Sequence, residues 1–253
     1  MSSVKVVKIG GKIIDDDQIL DAFLKDFVSI KEPKILVHGG GAIASKIGKK
    51  LGITPNMIEG RRITDEKSLE VITMVYGGLV NKKIVAKLQA FGKNAVGLSG
   101  ADLNIIPAKK RNPKPVDFGW VGDIDQVNSK WLLNFLNQDI TPVLAPLTHD
   151  GKGNMLNTNA DSIASAASAE LAKTNETELI FCFEKPGVMN KEKLITEINL
   201  LLYRHLRDIG LITDGMIPKI DLGFQALKNG VKTVSIRSFK SVSKITSGTQ
   251  LIT

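Results

Sequence analysis

Two lysines, one aspartate and two runs of glycine carry most of the chemistry that this sequence offers. Lys8 is the only charged residue in Val6-Val-Lys-Ile-Gly-Gly11, at the C-terminal end of a β-rich run. A lysine placed there projects toward the crevice in which open α/β sheets bind ligands. Gly10 and Gly11 let backbone N–H groups close on a phosphate, and a helix start adds its positive end. An edge lysine before an ordinary turn reads the same way. His38-Gly-Gly-Gly41 stands between another apolar run and a helical stripe. Three successive glycines cost backbone entropy on folding and exceed what a tight turn uses, so an anion-binding nest of amides is the stronger reading over a flexible loop. Asn157-Thr-Asn-Ala-Asp161 leads into a helix of small residues. Asp161 either caps that helix or uses its charge to hold cationic side chains, while Asn157 offers a substrate both a donor and an acceptor. In Ile212-Thr-Asp-Gly-Met-Ile-Pro-Lys219, Pro218 suits a first helical turn. Lys219 then sits by the positive end of a helix, which disfavours a lysine unless an anion is bound or its ammonium reaches water.

Other chemistries are missing from the sequence. There is no GxxxxGK[ST] loop, no GxGxxG after a strand and no GxSxG elbow. Three histidines and one cysteine do not make a zinc centre, so no protein-only metal site is expected.

The elements that must position these residues follow from hydrophobic periodicity. Val4–Ile9 and Lys34–His38 read as short strands, each ending in glycines and each followed by a helical stripe: Ile19, Leu20, Phe23, Leu24, Phe27 and Val28 in one case, Ile43, Ile47 and Leu51 in the other. Strand, glycine turn and helix, twice over, predict βαβ units on a mainly parallel sheet. A long helix is expected from about Asp65 to Gln89, with Thr64 as its cap. Residues 95–98, 141–145, 179–183, 233–236 and 250–252 read as further strands, and 100–128 as a hairpin excursion. Helices are expected over 131–136 with Ser129 as cap, over about 193–207, and over 218–228 with Gly230 ending the last. A change of character near residue 175 divides an N-terminal lobe, 1–175, from a C-terminal lobe, 176–253, within a single domain.

Composition narrows the class. Of 253 residues 43% are hydrophobic and 24% charged, and the net charge is +8. That basicity suits small anions, nucleic acid or a membrane surface. The densest cluster, Lys109, Lys110, Arg111 and Lys114, lacks the interleaved aromatics of a single-strand platform, so nucleic acid is not expected as a partner. No apolar run approaches the roughly 20 residues of a membrane span, and no membrane partner is expected. Cys182, in Leu179–Phe183, reads as a buried strand thiol, and one cysteine suits a reducing compartment. The chain enters its first strand without a basic n-region and apolar h-region, so a cytoplasmic address is expected.

Taken together, KIGGK at 8–12, LVHGGG at 36–41, EGRRIT at 59–64, NTNAD at 157–161 and ITDGMIPK at 212–219 resemble the amino acid kinase family, and within it the acylglutamate kinases. The resemblance runs from Lys8 to Gly248-Thr249. It implies an α/β fold, a three-layer αβα sandwich around a mainly parallel sheet, and transfer of the ATP γ-phosphoryl group, with Mg²⁺, to the side-chain carboxylate of N-acetyl-L-glutamate in arginine biosynthesis. It implies that Lys8 and Lys219 flank the transferring group and that Asp161 orients them. Gly40, Gly41, Arg62 and Asn157 would hold the acyl amino acid, with Arg62 on its α-carboxylate. Gly10, Gly11, Glu184, Gly187, Leu211 and Thr213 would bind the nucleotide. The lobe 1–175 would then hold the acylglutamate and 176–253 the ATP. The chain starts without the N-terminal helix of a hexameric, arginine-regulated subset, which implies a homodimer insensitive to arginine.

Several positions depart from the family's commonest pattern: Phe183-Glu-Lys-Pro-Gly187, Lys12, Arg61 beside Arg62, and Ser99-Gly-Ala-Asp102. They keep N-succinylglutamate and a carrier-linked aminoadipate open as acceptors. Arg61 and Lys109–Arg111 are the cations that an acidic acyl group would need. A non-catalytic nucleotide- or nucleic-acid-binding protein is the alternative of another class.

Overall fold

The computed structural model describes residues 3–58, 60–213, 215–244 and 247–253. Glu59 and Asp214 of the motifs above lie outside them. Among the described residues, eight strands form one sheet in the order Glu197–Ile198, Thr249–Leu251, Thr233–Ser238, Glu176–Phe183, Ser3–Ile9, Lys34–His38, Thr141–Leu144, Ala95–Leu98. Every pairing is parallel except that of Thr233–Ser238 with Thr249–Leu251. Strands from before and after residue 175 occupy the two halves of the sheet and meet where Ser3–Ile9 pairs with Glu176–Phe183.

Strand alternation sends successive residues to opposite faces. Val4 and Val6 join one core with Ile35, Val37, Leu179, Phe181 and the helices Ala160–Ala172 and Ile217–Lys228. Val7 and Ile9 join the other with Leu36, Ile180, Cys182 and the helix Asp17–Ser29. Helices on both faces of a mainly parallel sheet make the expected three layers. The same alternation puts Lys8 on the face covered by Ala160–Ala172. Burial pushes the Cys182 thiol up, as suits an inert core residue.

Local chemistry moves several boundaries. Asp65, not Thr64, caps the long helix, its carboxylate accepting from Ser68 N at 2.7 Å. Thr64 is fully buried in extended backbone and serves another purpose. The long helix is α-helical over Glu66–Ile72 and Asn81–Ala90 but π-helical over Thr73–Val80. Ser129 is the first residue of the helix Ser129–Asn137 rather than its cap. The helix expected over about 193–207 covers only Leu200–Asp208, because Asn199 caps it by accepting from Leu202 N at 2.8 Å. The residues before it form short strands, Lys193–Leu194 and Glu197–Ile198. The excursion over 100–128 is a hairpin as expected, pairing Ala108–Lys110 with Gly122–Ile124. Among the described residues no helix is long and apolar enough to cross a membrane.

Candidate active site

The site is assembled where two neighbouring strands end. Ile9 and His38 are partners across the sheet, and Gly39 N donates to Ile9 O at 3.1 Å. The two glycine turns therefore lie side by side, the Cβ position of Gly39 falling 3.7 Å from Gly11 N. The helices Gly11–Asp15 and Gly41–Lys50 start from them, with Gly10 and Gly40 as caps that offer no side chain to the first N–H groups. Gly40 has φ of 153°, a conformation open to glycine, and a Cβ there would stand 3.0 Å from the Tyr76 ring. A larger residue would be refused twice, by its own backbone and by Tyr76.

Three charged groups converge beside these turns. Asp161 lies in the first turn of Ala160–Ala172, and Asn159, not Asp161, is the cap of that helix, accepting from Asp161 N and Ser162 N. The Asp161 carboxylate is thus free of helix duty and sits between two ammoniums. Lys8 Nζ approaches Oδ1 at 2.8 Å as an ion pair rather than an aligned hydrogen bond. Lys219 Nζ donates to Oδ2 at 3.0 Å. Burial opposes the charge on Asp161, but the Lys8 and Lys219 ammoniums outweigh it and hold its pKa at about 2. For Lys219, burial and the neighbouring Lys8 charge lower the pKa against the pull of Asp161. Two lysines sharing one carboxylate leave this pocket with a surplus of positive charge, which suits a polyanion.

On one side of this cluster the side chains are already braced. Arg62 Nη2 donates to Gly41 O at 3.1 Å and to Ser45 Oγ at 2.6 Å. Tyr76 meets the same guanidinium; its burial raises its pKa and Arg62 works against that rise. Asn157 Nδ2 donates to Thr64 Oγ1 at 3.0 Å, which is the use made of Thr64. Ser45 and Tyr76 belong to this site although the sequence reading did not select them. Tyr76 looked like one more residue of an apolar stripe, and Ser45 carried no signal beyond lying one turn after Gly41.

On the other side the expected residues make separate contacts. Glu184 pairs with Lys12 at 3.0 Å. Gly187 is packed so closely that a Cβ would come within 2.5 Å of Thr249 Oγ1. That hydroxyl accepts from Val188 N at 2.8 Å and donates to Ile195 O at 2.6 Å. Leu211 is half-buried and Thr213 exposed. Thr213 O accepts from Met216 N at 2.9 Å, just before the helix that carries Lys219. The structure joins Lys8 and Lys219 through Asp161, and Arg62 to Gly41. It does not join Glu184, Gly187, Leu211 or Thr213 to that cluster by any side-chain bond.

Three cations of the excursion are engaged within it. Lys109 pairs with Asp125 at 2.6 Å, Arg111 with Asp123 at 2.6 Å, and the Lys110 ammonium stands 4.0 Å over the Trp120 ring. Arg61 is exposed.

Residues 3–238 match the model of the amino acid kinase family. The chain is 48% identical over 262 residues to the acetylglutamate kinase of Cytophaga hutchinsonii, covering 100% of this chain and 99% of that protein. It is 50% identical over 240 residues to the acetylglutamate kinase of Parabacteroides distasonis, covering 93% and 94%. Among solved structures, smu.665 from Streptococcus mutans superposes with a TM-score of 0.83 at 26% identity, covering 98% of each chain. Sequence and layer order agree: the chain belongs to the amino acid kinase family.

Proposed function

We propose that this chain transfers the γ-phosphoryl group of ATP to the side-chain carboxylate of N-acetyl-L-glutamate; its 48–50% identical relatives are named acetylglutamate kinase. The observation that carries this reading is Asp161 held between Lys8 and Lys219 beside two glycine turns. Phosphoryl transfer asks for positioning and positive charge more than for a covalent nucleophile. The acceptor carboxylate is already ionised near neutral pH, so no general base is required. Its oxygen forms a bond to the γ-phosphorus as the bond from that phosphorus to the β–γ bridging oxygen breaks. The products are an acyl phosphate and ADP.

In this reading Lys8 and Lys219 stabilise the charge that develops on the transferring group and on the leaving oxygen. Asp161 keeps both ammoniums aimed at that point. Gly10 and Gly11 give N–H groups to the ATP phosphates, and Gly40 and Gly41 give theirs to the acceptor. Arg62, pre-set by Gly41 O and Ser45, takes the α-carboxylate, and Asn157 the acylamide. Glu184, Gly187, Leu211 and Thr213 line the nucleotide. Mg²⁺ arrives with ATP and neutralises part of its charge. The lobe 1–175 thus holds the acceptor and 176–253 the nucleotide.

The pairing of Lys109 and Arg111 with aspartates weakens both a succinyl-binding role and a polyanion-binding role for that segment. A homodimer is proposed through the long helix, on which Met74 and Leu79 are 55% and 52% exposed, and light scattering tests it. A cytoplasmic address accompanies the proposed biosynthetic role.

A coupled ADP-release assay over N-acetyl, N-succinyl and free glutamate tests the whole reading. Release that depends on N-acetylglutamate is expected. Release with none of these acceptors, together with retention on heparin that ATP does not abolish, would overturn it.

A further inference from the structure

His38 is wholly buried, yet it is not an ordinary core residue. Its Nδ1 lies 2.7 Å from Gly39 O and its Nε2 lies 3.1 Å from Asn81 Nδ2. Asn81, 1% exposed, also directs Nδ2 to Val143 O at 2.9 Å. The neighbouring strand leaves room for that amide through Gly97, where a Cβ would fall 1.8 Å from Asn81 Oδ1.

The hydrogen-bond directions settle one tautomer from both ends. A carbonyl only accepts, so Val143 O fixes the amide with its nitrogen inward, and the second N–H of Asn81 is given to His38 Nε2. Nε2 is then the bare nitrogen and Nδ1 carries the proton. Gly39 O, which also only accepts, requires the same assignment. Burial disfavours the imidazolium and lowers the pKa of His38 to about 4, so the ring is neutral near pH 7.

The consequence lies on the far side of one peptide bond. The peptide joining Gly39 to Gly40 is trans and planar, so its C=O and N–H point in opposite directions. A donor that fixes Gly39 O therefore also fixes where the Gly40 N–H points. The other end of Gly39 is tied by its N–H to Ile9 O at 3.1 Å, and the Tyr76 ring stands 3.0 Å from where a Cβ of Gly40 would be. Glycine has no side chain of its own to hold this plane, and without these ties a run of three glycines would sample many orientations.

We propose that His38, as the neutral Nδ1–H tautomer locked by Asn81, is a positioning residue that aims the Gly40 N–H at the acceptor carboxylate. The role acts through the backbone, and it rests on the acylglutamate kinase reading given above. Preorganised N–H donors of this kind lose much of their effect when their direction is freed.

The test has a spectroscopic arm and a kinetic arm. Long-range ¹H–¹⁵N spectra of the uniformly labelled protein report the tautomer of each histidine, and His38→Asn identifies the resonances of His38 by their loss. Protonated Nδ1 and bare Nε2 are expected; an Nε2–H tautomer or an imidazolium at pH 7.5 overturns the proposal. This arm uses no substrate, so its failure is distinct from a failure of the acylglutamate reading. In the kinetic arm His38→Leu is expected to lower kcat about 10- to 100-fold, with the KM for ATP unchanged. His38→Asn, whose side-chain amide nitrogen replaces Nδ1, is expected to recover most of that loss. Equal losses in both variants, or wild-type turnover in His38→Leu, would reduce His38 to a space-filling residue. Should His38→Leu fail to fold, the wild-type tautomer and the His38→Asn kinetics decide the matter together.

Discussion

The two sides of the crevice are built differently. On the proposed acceptor side, Arg62 is held by Gly41 O and Ser45 Oγ and Asn157 by Thr64, and a Cβ at Gly40 would stand 3.0 Å from the Tyr76 ring. On the proposed nucleotide side, Glu184 pairs with Lys12, whose side chain is 79% exposed, and Thr213 is exposed as well. Between them stands the internally paired Lys8–Asp161–Lys219 cluster, with Lys8 buried and Asp161 and Lys219 half-buried. In the proposed reading, the acceptor side is thus braced by side-chain bonds to a degree that the nucleotide side is not. Preorganisation lowers the ordering cost of binding, so the two sides should respond unequally to mutation.

The largest response is expected at the junction of the sides. Lys8→Ala and Lys219→Ala should each lower kcat by about 10²-fold or more, since each removes a positive charge from the developing transition state. Steady-state kinetics with both substrates varied check this, and the KM values should move far less than kcat. Near-normal turnover in Lys219→Ala would remove that residue from the mechanism.

Next comes the acceptor side alone. Arg62→Ala should raise the KM for N-acetylglutamate about 10- to 100-fold, in line with the ~1.5–3 kcal/mol of a hydrogen bond to a charged group. The KM for ATP should stay within about twofold of wild type, because the guanidinium bonds to Gly41 O and Ser45 Oγ on the proposed acceptor side. Comparable increases in both KM values would erase the distinction between the two sides.

How much of this was open to sequence reading follows the same division. Lys8 and Lys219 were legible because each is out of place by local rules, a charge closing an apolar strand and a lysine at the positive end of a helix, whereas Asp161 at a helix start read equally as a cap. Strand alternation then predicts which face Lys8 meets. The role of Asn159 as the true cap, which frees Asp161, needed the backbone geometry. Tyr76 was hidden because it reads as one more core-facing residue of an apolar helical segment. The strands preceding Leu200 were mistaken for helix because Leu194, Ile195 and Ile198 repeat at spacings that suit either. Residues such as Gly187 were named for a ligand but are also explained by packing against Thr249.

Acid titration gives a mid-sized test of the Lys8–Asp161–Lys219 cluster. The folded pKa of Asp161, about 2, lies below its ordinary value of 3.8. Its ionised form therefore stabilises the fold above pH 3.8, and that contribution is lost as pH falls toward 2. The difference corresponds to about 2 kcal/mol. Denaturant unfolding of wild type and Asp161→Asn between pH 2 and 5 should show a shallower acid loss in the variant. Parallel curves would mean that the two lysines do not hold the carboxylate in solution as they do here.

The smallest effect is expected where the nucleotide side meets solvent. Lys12 and Glu184 link the first glycine turn to the loop after Glu176–Phe183, but their side chains are 79% and 41% exposed. Exposed ion pairs contribute about 0–1 kcal/mol, because water competes for both charges and two long side chains lose freedom. Lys12→Ala should therefore change the KM for ATP less than about threefold, and Tm should hardly move. A neutral outcome sharpens the contrast, since it shows that the nucleotide side draws little on contacts already present in the free protein. An increase above about tenfold in the KM for ATP, with the KM for N-acetylglutamate unchanged, would break it. Lys12 would then be a phosphate ligand released from Glu184, and the nucleotide side would be preorganised after all.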